Sequence, residues 1–518
     1  MGQHLLVAPN VYDRPVSDYE YIQRIRRHQP SSLLPLVAAA AAQYASVADP
    51  DHWMKSPYRQ FTPWALADVA RVAFGRGTEH NRTPATDRDL LEILAAYSAL
   101  ADPAQLVTSG ENALEGFLLR ITGAQLAWQT PEFHALARTA ALFRETAVPA
   151  DKTVRCLVPG WEEKLFGCSL PEYVGTVQLL WGAAVAGQGQ LPQSWFDSPE
   201  AAEISQHLDK TTITKVIEDH LAVDQAGFKD LEEAARSRAS AQTRTQSQAR
   251  RFTYNPVREC PVFRDVLPGA LLIPSPQLMW HKASPAGVYF SGLAGLGKHF
   301  PIEVGYLFEQ YVGRQLRLLP DAEVFPEVRY KDGKDTADSI DWFVVFDDLV
   351  LLVEVKSAMP TEALRLGQAQ GLAELTAKLG HAHEQLEKSA TAVRTYRADF
   401  AHIPTDRPLI GMAVTLEPFH LVNSPFLKSA LPTTSLPVLT ASSYELELLV
   451  TVSDTSVPKL LLDRQAAADQ STYSLKAALG GHQRRENSVL AAGWRHYPWG
   501  RNGTVAAAHQ SPTPKPSA

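Results

Sequence analysis

The sequence predicts an α/β domain with a mixed sheet in the C-terminal half of the chain, preceded by a mainly α-helical N-terminal region. Apolar residues recur at helical spacing through residues 1–235, as in residues 87–100, which follow a candidate N-cap at Thr86. From residue 302 onward the pattern changes, because a helix is followed by strand-like runs, a long helix and further strands. Between the two patterns, residues 236–251 are polar, include five arginines and contain almost no apolar side chains.

These patterns divide the 518-residue chain into four parts. We predict a helical region at residues 1–235, a linker at 236–256, the α/β domain with C-terminal helices at 257–501 and a disordered tail at 502–518. A chain of this length is expected to hold two or three domains.

Composition limits the class of protein. The net charge of −7 argues against a protein that coats nucleic acid with basic surface, so any nucleic-acid contact must be made in a local groove. The three cysteines include no C-x-x-C pair, which argues against a disulfide framework or a thiolate zinc site and favours a reducing cytoplasm. The N-terminus lacks a secretory pattern, and the longest apolar run, residues 33–42, is too short to span a bilayer.

The predicted elements of the C-terminal half follow a defined order. A helix at residues 302–318, with Pro301 in its first turn, precedes three strands. A long helical region and two more strands follow, and a further helix packs outside. The strands are predicted at residues 323–330, 339–346, 349–356, 409–416 and 436–440, the long helical region at 362–400 and the outer helix at 444–450.

Three polar residues are predicted to lie together on the second and third of these strands. If the strands pair symmetrically around a turn at residues 347–348, Asp341 lies directly opposite Glu354, on the same face of the sheet. Lys356 is two residues further and projects from that face. Asp338 falls on the other face in this register, so Asp341 is preferred.

This arrangement calls for a cation. Residues 349–353 are all apolar, as in a central strand that is buried on both faces. Two carboxylates at the end of such a strand repel each other and lose hydration, unless a cation lies between them. Because both ligands are oxygens, Asp341 and Glu354 suit Mg²⁺ or Mn²⁺ better than zinc.

The pattern D-x12-E-V-K at the end of a buried hairpin resembles the signature of the PD-(D/E)XK, or restriction-endonuclease-like, nucleases. The resemblance covers roughly residues 300–442 and includes the element order helix, three strands, helix and strand. It implies that Asp341 and Glu354 bind the metal together with the Val355 carbonyl, and that Lys356 is the catalytic lysine.

The resemblance also suggests two further site residues. Many members carry an acid on the helix before the sheet, which Glu309 matches, and several branches carry a glutamine on the following helix, which Gln385 matches. One departure is Ile340, which stands where many members have proline.

By resemblance, the expected activity is metal-dependent hydrolysis of phosphodiester bonds in nucleic acid, with DNA favoured over RNA. Roles in restriction, phage defence or repair are compatible with this activity, and the helical region is a candidate surface for a protein partner.

Three other interpretations were weighed. The nuclease fold could serve as an inactive scaffold or as a nucleic-acid-binding protein. Residues 292–299, GLAGLGKH, approach a phosphate-binding loop of a nucleotide hydrolase, but His299 replaces its hydroxyl residue, so a glycine-rich turn is favoured. His381 and His383 lie on different sides of a helix, cannot share one metal and are expected to be exposed.

Overall fold

The computed structural model shows a mixed α/β protein. It describes residues 14–45, 58, 61–100, 118–119, 122, 134–238, 254–332, 334–365, 369–395, 398–467 and 469–497. The predicted tail at 502–518 therefore lies outside the described residues, as does most of the predicted linker.

The N-terminal region is mainly helical, as predicted. Thr86 caps the helix that follows it through a reciprocal capping box with Asp89, and this helix buries Leu90, Ile93 and Leu94. The helices are α1 (Asp18–Arg26), α2 (Pro30–Ala45), α3 (Pro63–Arg76), α4 (Asp87–Ser98), α5 (His134–Phe143), α6 (Trp161–Phe166), α7 (Leu170–Ala186), α8 (Pro199–Ile204), α9 (Lys210–Val216) and α10 (Gln225–Arg238).

A small sheet that the sequence did not predict joins the two halves of the chain. Its strands are β1 (Gln190–Pro192), β2 (Ala222–Val223), β3 (Val262–Leu267) and β4 (Ala270–Leu272). They lie in the order β1-β4-β3-β2, and two of them come from each side of the predicted linker. Three of these strands have only two or three residues, too few for an alternation to be recognised in a sequence. The six residues of β3 do not alternate regularly, because its pairing with β4 shifts between Phe263 and Leu267.

The main sheet has the predicted element order. Its strands lie in the order β11-β10-β9-β8-β5, with β9, β10 and β11 parallel and with β5 and β8 antiparallel to their neighbours. The strands are β5 (Glu323–Pro326), β8 (Trp342–Val345), β9 (Val350–Lys356), β10 (Leu409–Thr415) and β11 (Val438–Ser442).

Two predicted elements are divided in the structure. The predicted strand at residues 323–330 ends at Pro326, whose ring nitrogen has no hydrogen to donate to a ladder. Beyond it, β6 (Arg329–Asp332) and β7 (Asp335–Asp338) form a separate two-stranded hairpin. The predicted helical region at 362–400 consists of α14 (Glu362–Arg365), α15 (Ala369–Arg394) and a 3₁₀ turn at Ala398–Phe400.

Helices α13 (Phe300–Leu316) and α15 cover the two faces of the sheet. Leu351 and Val353 share one core with residues of α13, whereas Val350 and Leu352 share another with residues of α15, so β9 is buried on both faces as predicted. The contact with α13 is close at Gly313, where an added Cβ would lie 2.3 Å from the Trp342 ring. The remaining C-terminal helices are α11 (Pro276–Ala283), α12 (Pro285–Leu296), α16 (Pro425–Lys428), α17 (Ser443–Leu449), α18 (Val457–Ala466), α19 (Leu475–Leu479) and α20 (Ser488–Trp494).

The N-terminal region and the α/β domain share a core. Leu136 and Val174 belong to the same cluster of buried side chains as Phe308 and Leu351. Within it, the Arg138 guanidinium binds both carboxylate oxygens of Glu447 at 2.5 and 2.6 Å, and both side chains are almost fully buried. Packing is therefore continuous across the predicted linker, while the domain boundaries themselves stay predictions.

Only the end of the glycine-rich stretch at residues 292–299 forms the turn that we expected. Residues up to Leu296 belong to α12, and Gly297, with a φ of 85°, begins a turn that the Phe300 N–H closes onto the Gly297 carbonyl at 3.1 Å. The glycines of α12 allow close packing, because an added Cβ would lie 2.2 Å from the Phe300 ring at Gly292 and 2.6 Å from Leu165 at Gly295. A phosphate-binding loop needs free backbone N–H groups in a loop, which this helix does not provide, so the stretch gives no support to a nucleotide hydrolase.

All three cysteines, Cys156, Cys168 and Cys260, carry free thiols. None of the described helices combines the length and the apolar character needed to cross a membrane.

Candidate metal and active site

The hairpin formed by β8 and β9 has the predicted register. Trp342 pairs with Val353 and Val345 with Val350, and the Phe346 N–H donates a hydrogen bond to the Leu349 carbonyl at 2.9 Å. The ladder ends at Trp342, so Asp341 directly precedes the last paired residue of β8, and Glu354 directly follows its partner Val353. Because side chains alternate along β9, Glu354 and Lys356 lie on the face that α15 covers.

Asp341 is held by backbone groups at the end of β8. The Val355 N–H donates a hydrogen bond to Asp341 Oδ2 at 2.6 Å, so a carboxylate takes the place of a ladder carbonyl where β8 ends. The preceding residue is also fixed, since the Ile340 N–H donates to Ser389 Oγ at 3.0 Å. The Asp341 carboxylate is thereby fixed next to the strand that carries Glu354.

Glu354 and Lys356 form a partly buried ion pair that is attached to α15. Lys356 Nζ lies 2.5 Å from Glu354 Oε1 and donates a second hydrogen bond to Gln385 Oε1 at 2.8 Å. The Glu354 side chain is only 2% exposed. Its other oxygen, Oε2, is buried and accepts no hydrogen bond of ordinary geometry among the described residues, although the Asp341 backbone N–H lies near enough to the carboxylate to lower its pKa. A buried carboxylate oxygen without a donor is costly, and a cation would satisfy it.

The raised pKa values of the two carboxyl groups also favour a cation at this site. Burial and the nearby Glu354 carboxylate raise the pKa of Asp341 well above its ordinary value, while the Val355 N–H and Lys356 act against this rise. Burial also raises the pKa of Glu354, against the lowering effect of Lys356. Without a cation, the pair cannot be fully ionised at low cost.

The structure places Gln385 and Glu309, the two remaining predicted site residues, on the helices that flank the sheet. Gln385 contacts the Lys356 ammonium directly. Glu309 lies on α13, where its carbonyl accepts a hydrogen bond from Trp342 Nε1 at 3.1 Å. Its carboxylate is near enough to contribute to the raised pKa of Asp341, and burial raises the pKa of Glu309 itself.

Sequence reasoning missed two polar residues of this site. Ser389 lies four residues after Gln385, so both project from the same face of α15, a spacing visible in the sequence. Glu327 follows Pro326, which pairs with Trp342, the residue next to Asp341. The Glu327 charge contributes to the raised pKa of Glu354.

Other polar candidates lie apart from this arrangement. Asp338 is exposed and forms an ion pair with Arg329 at 2.8 Å. His381 is exposed as expected, but His383 is buried and its ring contacts the Pro432 carbonyl, so the expectation of exposure was wrong for His383. It lies on the apolar side of α15, which periodicity alone should have shown.

The donor set fits a hard divalent cation. Asp341, Glu354 and the Val355 carbonyl supply oxygen only, which suits Mg²⁺ or Mn²⁺. Among the residues that the structure describes, no three His, Cys, Asp or Glu side chains are grouped closely enough to hold a metal. A cation at this position would therefore complete its shell with backbone oxygen and water, as Mg²⁺ commonly does.

Comparisons with protein-family models, with curated proteins and with solved structures found no match to this chain.

Proposed function

We propose that this protein is a metal-dependent nuclease that hydrolyses phosphodiester bonds in nucleic acid, with DNA as the expected substrate. The observation that carries the proposal is the site formed by Asp341, Glu354 and Lys356. Two interacting carboxyl groups with raised pKa values lie at the end of a buried hairpin, beside an ammonium group that Gln385 holds in place. Groups with strongly shifted pKa values and a specific charge partner are common at functional sites.

In this proposal, Asp341, Glu354 and the Val355 carbonyl would hold Mg²⁺ or Mn²⁺. When bound, such a cation would offset the charge of the phosphate and make a nearby water more acidic. The Val355 N–H keeps Asp341 in position, so the ligand pair is arranged before a cation binds.

Lys356 acts on the reacting groups. Its ammonium lies between Glu354 and Gln385 with its side chain 23% exposed, so it can still reach a substrate. From there it donates a hydrogen bond to the attacking water or to a phosphate oxygen on which charge develops during hydrolysis. The glutamine fixes the direction of this donor and leaves the charge of the ammonium unchanged.

A scaffold that only binds nucleic acid has no need for this arrangement. Two opposed carboxylates cost stability in the absence of a cation, and replacement by apolar residues would remove that cost. The proposal therefore attributes the arrangement to catalysis.

The test is a cleavage assay with the full-length protein. Supercoiled plasmid, single-stranded DNA and RNA are incubated separately with Mg²⁺, with Mn²⁺ or with EDTA. We expect cleavage of at least one DNA substrate with either cation and none with EDTA. A Lys356→Ala protein purified in the same way should be inactive, which excludes a contaminating nuclease. Equal cleavage by the variant, or no cleavage of any substrate with either metal, would overturn the proposal.

A further inference from the structure

A loop from the N-terminal region is fixed to helix α13 at two places. At one, the buried Glu303 carboxylate accepts hydrogen bonds from three consecutive N–H groups, those of Arg155, Cys156 and Leu157, at 2.7 to 3.1 Å. At the other, Arg314 Nη1 donates to the Ala141 carbonyl at 3.1 Å and to Thr146 Oγ1 at 2.8 Å. The residues between these anchors, 147–154, therefore have to pass along α13.

The anchors are 11 residues apart on α13, or roughly 16 Å at the rise of an α-helix. Within the loop, a turn is closed by a hydrogen bond from the Lys152 N–H to the Pro149 carbonyl at 3.0 Å. This turn places Lys152 Nζ 5.7 Å from the centre of the Tyr306 ring, between the two anchors.

This part of α13 adjoins the candidate active site. Tyr306 is three residues before Glu309 and so lies beside it on the helix surface. At Gly305, an added Cβ would lie 3.3 Å from the hydroxyl of Ser357, the residue that follows Lys356. The loop, the helix and β9 thus come together at the C-terminal end of β9.

Lys152 brings a positive charge to an otherwise acidic surface. Burial raises the pKa of Glu309 and of Glu327, and the charge of Lys152 acts against this rise in both. The side chain is 38% exposed, and its contact with Asp151 is 3.6 Å long, with the aspartate 74% exposed. Exposed pairs of this kind are weak, so a phosphate can readily displace the aspartate.

We infer that Lys152 binds a backbone phosphate of the substrate, so that the loop at residues 147–154 forms one wall of the active-site cleft. This inference rests on the proposed nuclease function. It gives the N-terminal region a direct part in substrate binding, although the likeness to known nucleases covers none of that region. Phosphate contacts by lysine position a substrate and carry no sequence information, so this contact would contribute affinity without sequence preference.

The test measures binding separately from cleavage. Full-length protein carrying Lys356→Ala, which should not cut, is titrated into fluorescein-labelled DNA, and anisotropy gives the dissociation constant at several salt concentrations. Adding Lys152→Ala should weaken binding by about 3- to 10-fold and reduce the slope of log K against log salt concentration by about 1. Lys152→Arg in place of Lys152→Ala keeps the positive charge and should restore both the affinity and the salt slope. Lys210→Ala is the control, because Lys210 is an exposed lysine of the same region, paired with Asp197 at 2.6 Å.

The outcomes separate the two proposals. If DNA binds but Lys152→Ala behaves like Lys210→Ala, the inference about Lys152 is wrong and the nuclease proposal is unaffected. If Lys152→Ala weakens binding without changing the salt slope, it acts through structure and not through a phosphate contact, and the inference again fails. If the protein binds no nucleic acid at any salt concentration, both proposals fail.

Discussion

The backbone N–H of Ile340 donates a hydrogen bond to Ser389 Oγ at 3.0 Å. Ser389 lies one helical turn after Gln385, which accepts a hydrogen bond from Lys356. One face of α15 therefore fixes both strands of the hairpin, one at the residue before Asp341 and the other at the lysine itself. Supporting contacts of this kind decide whether ligands and donors are held at a productive distance.

Ser389→Ala should weaken metal binding as well as stability. The change leaves the buried Ile340 N–H without an acceptor, at a cost of about 1–3 kcal/mol, and it frees the backbone that positions Asp341. We expect metal affinity, measured by isothermal titration calorimetry, to fall by about 10- to 100-fold while the protein remains folded. Thr391→Ala removes a hydroxyl from the exposed face of the same helix and is the control. Equal metal affinity in the two variants would show that Ser389 has no positioning role.

The roles of Lys356 in cleavage and of Asp341 in metal binding should be separable by experiment. Lys356→Ala should abolish cleavage but largely retain metal binding, because the lysine acts on water or phosphate and is not a ligand. Asp341→Ala should abolish cleavage and also weaken metal binding, since it removes one of two carboxylate ligands. Cleavage rate and calorimetric metal affinity are measured for both variants and for Lys378→Ala, an exposed lysine of α15. Full activity of Asp341→Ala would show that the catalytic assignment is wrong.

Asp341→Asn should stabilise the metal-free protein, and more so at high pH. The pKa of Asp341 is raised on folding, so the folded state binds the proton more tightly than the unfolded chain does. The unfolding free energy therefore falls as pH rises above the unfolded-state pKa of about 3.9, and asparagine removes this loss.

In urea titrations with EDTA, the gain from Asp341→Asn should be on the order of 1 kcal/mol at pH 8 and smaller at pH 5. Added Mg²⁺ should stabilise the wild type more than the variant, because only the wild type retains both carboxylates. Asp338→Asn, which only removes an exposed ion pair with Arg329, should give no gain in stability at pH 8. A gain that is equal at both pH values would contradict the raised pKa.

Gly313→Ala tests the contact between α13 and β8. The new methyl group would lie 2.3 Å from the Trp342 ring, which is held by its bond to the Glu309 carbonyl and by Arg317 over its face. We expect a loss of about 1–3 kcal/mol in unfolding free energy and reduced cleavage, because Trp342 adjoins Asp341. Gly182→Ala, where no atom lies within 4 Å of the new methyl group, should instead stabilise α7 by up to about 1 kcal/mol. Similar effects of the two changes would show that this contact is not tight.

The register of the β8–β9 hairpin could be predicted because it depends on local features. A two-residue turn and the alternation of side chains were enough to pair Val345 with Val350 and Trp342 with Val353, which brings Asp341 and Glu354 to the same end of the hairpin. The extent of the shared core could not be predicted, since Arg138 and Glu447 are joined only by the tertiary structure. The structural role of the glycines could not be read from the sequence either. Gly292 allows a helix to pack closely against Phe300, but the same glycine pattern also occurs in a phosphate-binding turn.

The Arg138–Glu447 pair has a consequence for the order of events on the ribosome. The two residues are separated by 309 positions, so the arginine is made long before its carboxylate partner. Until then, the apolar surface around α5 has no complete core to enter, and such surfaces favour aggregation of partly folded chains. We therefore expect the nascent N-terminal region to depend on chaperones until the last strands of the main sheet have been synthesised.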